Sequence, residues 1–174
     1  MDYVVRSTSR AEVRLYAKLF RGLFGLPLTG PVDPLSLLDQ VSIVLGNADY
    51  EIVDPTELPH GVPARCVTND DGTFLIQISE VVFNGAYEKQ QGGYRAHILH
   101  EIIHAYVDKI GFKPIHNRAF QNKAIPPYMS LEWVVKAMTG EVMMPYEETV
   151  NMTAKDLVEK YAVSWEAANQ RLRY

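Results

Sequence analysis

The run His100-Glu101-Ile102-Ile103-His104 places two histidines four residues apart, with a glutamate beside the first. Residues at that spacing share one face of a helix, so two imidazoles can grip one metal ion while the glutamate is aimed at a water on that metal. Zinc lowers the pKa of its water to about 7, and a neighbouring carboxylate can take the proton as the oxygen attacks a carbonyl carbon. The chemistry is amide hydrolysis, with His100 and His104 as zinc ligands and Glu101 as catalytic base. A helix with two solvated or core-satisfied histidines is the alternative for the same residues.

Catalytic zinc takes three protein ligands and keeps a fourth position for water. His97, His116 and Glu132 are the candidates for the third. His97 is one turn before His100, but three ligands from one straight helix cannot easily surround an ion. The extended motif with a third histidine six residues after the second is absent, since Ile110 stands there and Val107 replaces its glycine. His116 falls in a polar loop and reads as a surface histidine. Glu132 opens a separate helix after a loop long enough for the chain to double back, so its carboxylate can complete a His₂Glu set. The alternative for Glu132 is an ordinary first-turn glutamate favoured by the helix dipole.

These groups need elements to hold them. Tyr94 to Val107 reads as a helix with Ile98, Ile102 and Ala105 on one side, preceded by a break at Gly92-Gly93 and stopped by Gly111. A second helix, carrying Glu132, runs from about Ser130 until Pro145 forbids it. Upstream, the capping box Ser9-x-x-Glu12 starts a helix with Val13, Tyr16, Phe20, Leu23 and Phe24 as its apolar stripe, and Asp33-Pro34 starts another that reaches Gly46. Three short runs at 50–53, 64–68 and 73–78 are rich in strand formers. With Asn69-Asp70-Asp71-Gly72 as a hairpin turn, they predict a small antiparallel sheet. The stretch 80–88 has no defined pattern. Thr153-x-x-Asp156 and Ser164 cap two last helices.

The chain has 174 residues, 47% of them hydrophobic, enough for one core, and residues 1–174 read as a single domain. Seventeen Lys and Arg against 21 Asp and Glu give a net charge of −4, with no basic cluster for a phosphate backbone, so direct nucleic-acid binding is disfavoured. One cysteine, Cys66, excludes an internal disulfide framework, and the start lacks a secretory apolar core, so the expected setting is cytoplasmic. No apolar run approaches the ~20 residues of a membrane span.

The segment Arg95-x-x-x-x-His100-Glu101-x-x-His104, followed by Leu131-Glu132-Trp133 and Met143-Met144-Pro145, resembles the ImmA/IrrE family of zincin-like metallopeptidases. Val163-Ser164-x-x-Ala167-Ala168-x-x-Arg171-Leu172 is similar to the end of that family's core, and Ile78-Ser79-Glu80 to the approach to its active helix. The resemblance covers most of the chain, the first sixty residues loosely, and HExxH is its specific part. It implies that His100 and His104 bind zinc, that Glu101 is the catalytic glutamate, that Glu132 is the third ligand, and that the substrates are helix-turn-helix repressors. Val134 to Gly140 depart from the family's acid-bearing, alanine-rich pattern.

The expectation is an α+β, zincin-like fold, with a small antiparallel or mixed sheet packed against helices that include the HExxH one. Its function would be that of a zinc-dependent endopeptidase acting on an intracellular protein. Two rivals stand beside it: a non-catalytic repressor- or antitoxin-binding protein with a structural metal, and a zinc hydrolase of small amides. Other residues have two readings each. Arg95 is either a substrate-orienting group or an exposed first-turn arginine. Tyr94, Tyr128 and His116 are candidate oxyanion stabilisers. Met138, Met143 and Met144 read as core filler. The strand Thr73 to Ile78 is either a plain core strand or an edge on which a peptide is laid.

Overall fold

The computed structural model describes residues 2–88, 91–115 and 124–173, so the candidate His116 lies outside the described residues. In chain order the elements are α1 (Arg10–Leu23), α2 (Pro34–Leu45), β1 (Ala48–Val53), β2 (Ala64–Thr68), β3 (Phe74–Ser79), α3 (Glu80–Glu88), α4 (Gly92–Lys109), α5 (Leu131–Met143), α6 (Tyr146–Thr149), α7 (Ala154–Tyr161) and α8 (Trp165–Arg171). Single 3₁₀ turns lie at Pro55–Glu57 and Pro127–Met129. The architecture is α+β: helices gathered around a three-stranded sheet. Among the described residues no helix is long and apolar enough to cross a membrane.

Local signals set most helix starts. Both arms of the Ser9–Glu12 capping box form, as do those of Thr153–Asp156, and Asp33 with Pro34 opens α2, which Gly46 closes at φ 70°. The buried face of α1 departs from the expected stripe. It comprises Val13, Ala17, Phe20 and Arg21, while Leu23 is exposed. Arg21 can be buried because its guanidinium donates only to backbone carbonyls: Nε and Nη2 to Val142, Nη1 to Pro27 and Thr29, and Nη2 also to Gly30. It thereby fastens the 26–33 loop and the last turn of α5 onto α1.

The sheet order is β1-β3-β2. β2 and β3 form the expected antiparallel hairpin, but β1 runs parallel to β3, so the sheet is mixed and not antiparallel. The physical reason is the 54–63 connection, long enough to carry the chain past β3 and set β2 on its far side. This makes β3 the central strand, with Ile76 and Ile78 fully buried. The 73–78 segment therefore offers no free edge; β1 and β2 are the edges. Ala64, Cys66, Phe74, Ile76 and Ile78 share the face turned to the helices. On the other face Arg65 donates to Gln77 and Gln77 to Glu51, a polar ladder across three strands.

Two further expectations fail for tertiary reasons. Residues 80–88 form α3, continuous with β3 and helped by Ser79 Oγ, which accepts the Val82 N–H. Gly92 does not break the chain but lies in the first turn of α4, where a Cβ would sit 2.6 Å from the carbonyl oxygen of Ala162. It is a close backbone crossing that only glycine permits. α4 is the central helix, with Ile98, Leu99, Ile102 and Ile103 fully buried, and it packs on α2, α5 and β2. Met138, Met143 and Met144 are buried in the core as expected. The departures at 134–140 pack well, since Val134, Val135, Ala137, Met138 and Thr139 are all buried.

The C-terminal helices are tied back by Glu148. Its carboxylate receives Lys160 Nζ at 2.5 Å and the Gly30 N–H at 2.7 Å, and these bonds hold its pKa down at about 2 against an ordinary 4.5. Because the folded value is depressed, this contribution is complete at neutral pH and is lost as pH falls from about 4.5 towards 2. After allowance for solvent screening the loss should be about 1 kcal/mol. It is measurable as an acid-induced drop in thermal midpoint that is smaller in Glu148→Gln.

Candidate metal centre

His100 and His104 project from one face of α4 towards the first turn of α5, where Glu132 emerges. The Nε2 atoms of the two histidines are 3.2 Å apart, and their rings meet edge to face with centroids 4.9 Å apart. Glu132 Oε2 lies 3.5 Å from His100 Nε2, and Oε1 lies 3.6 Å from His104 Nε2. Among the described residues these three form a group able to hold a metal ion, one ligand atom each, all within 4.8 Å of one another.

The spacing discriminates between an ion pair and a ligand set. Charge-assisted hydrogen bonds between imidazolium and carboxylate run at about 2.7–2.9 Å. Ligand atoms at the corners of a tetrahedron with bonds of ~2.05 Å lie about 3.3 Å apart. The observed 3.2, 3.5 and 3.6 Å fit the second. Two imidazole nitrogens and a carboxylate oxygen are also the donor set of an open, His₂Glu zinc centre.

Electrostatics favour the same state. Burial, with the neighbouring His100 second, pushes the His104 pKa down, which keeps its imidazole neutral and able to donate a lone pair. The facing His100 first, and His104 with it, hold the Glu132 carboxyl below its ordinary value, while burial opposes them. Glu132 therefore stays ionised.

Glu101 is not one of the three. It is buried, 9% exposed, and directed at β2, where the Cys66 backbone N–H donates to its carboxylate. Burial pushes its pKa up to about 7, the charge of His100 and the Cys66 N–H restrain the rise, and Glu132 adds to it. The ladder explains why Cys66 is available. Asn69 donates to the Thr73 carbonyl and Ser79 to the Pro63 carbonyl, so the odd-numbered residues of β2 pair with β3. Ala64, Cys66 and Thr68 consequently turn their N–H and C=O groups outward.

The remaining sequence candidates are not brought into this group. His97 is exposed on α4, one turn before His100. Arg95 is not an exposed arginine: its side chain is 11% exposed, donates to the Val32 carbonyl at 2.9 Å and lies 3.7 Å from Asp33, tying α4 to the start of α2. Tyr94 lies against Gly85 of α3, and Tyr128 is exposed in the turn before Ser130. Cys66 beside Glu101 had no signal in the sequence, because the contact is made by its backbone. No model of a known protein family matches the chain, and no curated protein matches it.

Proposed function

We propose that the chain is a zinc-dependent endopeptidase that cleaves an extended segment of another protein. The observation that carries this reading is the convergence of His100, His104 and Glu132 at ligand spacing, with the buried carboxyl of Glu101 on the adjoining side of α4. Zinc held by the three side chains would polarise a carbonyl oxygen and bring the pKa of water down to about 7.

Glu101 is the proton carrier in this scheme. Its carboxylate takes a proton from the attacking water and delivers it to the nitrogen of the leaving amine. A buried carboxyl next to the first of the two ligand histidines is placed to do both. The Cys66 N–H fixes the carboxylate at the free edge of β2. A substrate segment added to that edge through the outward groups of Ala64 and Thr68 would therefore run beside it, recognised chiefly by its backbone. Openness also argues against a small enclosed amide, since the Glu132 side chain is 44% exposed and that of His100 22%. The three described ligands are the number that an open catalytic centre uses. The resemblance to the ImmA/IrrE peptidases adds a substrate class to this reading, the helix-turn-helix repressors.

The test is metal analysis of wild type against Glu132→Ala, together with cleavage assays on such repressors. Glu132→Ala should weaken zinc binding by more than about 100-fold, beyond the effect of losing an outer partner. Equal affinity in both proteins would remove Glu132 from the site. A zinc-loaded wild type that cleaves no folded or unfolded protein would overturn the peptidase reading.

A further inference from the structure

We propose that Asp2 is a positioning residue for Glu132, setting the geometry of the ligand that α5 contributes. The inference rests on the metal-centre reading above. Glu132 is the second residue of α5, a place where helix N–H groups have no partner within the helix. Each of the first three is nevertheless satisfied. Leu131 N–H donates to the Tyr3 carbonyl at 3.0 Å, Glu132 N–H to Asp2 Oδ1 at 3.1 Å, and Trp133 N–H to Ser130 Oγ at 2.9 Å. Ser130 Oγ in turn donates to Asp2 Oδ2 at 2.7 Å. One carboxylate thus holds both the capping hydroxyl and the backbone of the ligand-bearing residue, and its negative charge sits at the positive end of the helix dipole.

The segment that presents Asp2 is itself secured. Val4 bridges Ser130, Val5 donates to the Met129 carbonyl, Thr8 to the Tyr128 carbonyl, and Ile115 donates to the Val4 carbonyl. Arg6 stacks on Phe112 at 3.9 Å from the ring centre and donates to the Tyr16 hydroxyl at 2.8 Å. Ion-site geometry is sensitive to sub-ångström placement of ligands, and partners outside the ligand set that orient them commonly change affinity by 10–100-fold when removed. Asp2 meets that description through the backbone of Glu132 rather than through its carboxylate, and reaches the site from the opposite end of the chain.

Zinc affinity of the full chain, measured by competition with a chromophoric chelator, tests this. Asp2→Ala should weaken binding by roughly tenfold, and Asp2→Asn, which keeps one acceptor oxygen for the Glu132 N–H, should recover part of the loss. In a Glu132→Ala background the same Asp2→Ala change should shift the affinity by less than about twofold, because the ligand it positions is gone. An equal loss in both backgrounds, or none in wild type, would overturn the proposal while leaving the ligand set intact. If Glu132→Ala alone leaves zinc affinity unchanged, the ligand assignment fails first and Asp2 has no ligand to position.

Discussion

Replacing Glu101 by glutamine is expected to leave zinc bound at the same stoichiometry and to reduce peptide-bond hydrolysis by about 10²–10⁴-fold, the range for removing a positioned acid–base group. The amide keeps the size of the side chain and can still meet the Cys66 backbone, but it cannot carry a proton from water to the departing amine. Glu101 is not in the ligand group, so the metal should be insensitive to the change. Inductively coupled plasma analysis and a fluorogenic peptide assay on the same preparation separate the two effects. Retained turnover would remove Glu101 from the chemistry; lost zinc would make it a structural part of the centre.

The second large effect concerns stability. Glu141 on α5 has a side chain 3% exposed and lies 3.4 Å from Arg14 Nε and 3.3 Å from Arg171 Nη1, the latter on a side chain 5% exposed. Truncating Glu141 to alanine leaves the Arg171 guanidinium buried without its counter-charge. Removing one member of a buried pair costs about 3–5 kcal/mol, whereas replacing both members with apolar residues of similar volume can be nearly neutral. Urea denaturation of Glu141→Ala should show the full loss, and the double change Glu141→Met with Arg171→Met much less. A loss under about 1 kcal/mol would show the pair to be effectively solvated. Zinc affinity should not move, since Glu141 lies in the opposite half of α5 from Glu132.

What the sequence made legible was local. Ser9 with Glu12, Thr153 with Asp156, Pro34 and Gly46 act within one turn of themselves, and each marks its helix boundary. The Asn69–Gly72 turn likewise specifies its hairpin, and the i, i+4 spacing of His100 and His104 needs nothing but a helix to bring the imidazoles together. The features that were not legible depend on distant chain. β1 is parallel because of where a loop crosses, which no pattern in 50–53 encodes. Gly92 reads as a breaker until the backbone at 162–164 is seen against it, and nothing in the α1 pattern marks Arg21 for burial among the four carbonyls that receive its five hydrogen bonds. Glu132 stood open between ligand and first-turn acid on its own spacing, because its partners lie on another helix; the fold brings it to the two imidazoles, in a group that could hold a metal ion. Asp2 had no signal at all.

The outward-facing groups of β2 carry a hazard as well as an opportunity. Unpaired strand borders invite pairing with any extended chain, including other copies of the same protein, and lead to aggregation when they are long and flat. Here the exposed border is five residues long, bounded by Pro63 on one side and a tight turn at Asn69 on the other, and the Cys66 N–H is already engaged by a carboxylate. Shortness and interruption are features that make an edge strand a poor template for further pairing, so the β2 border is blunted by its own sequence.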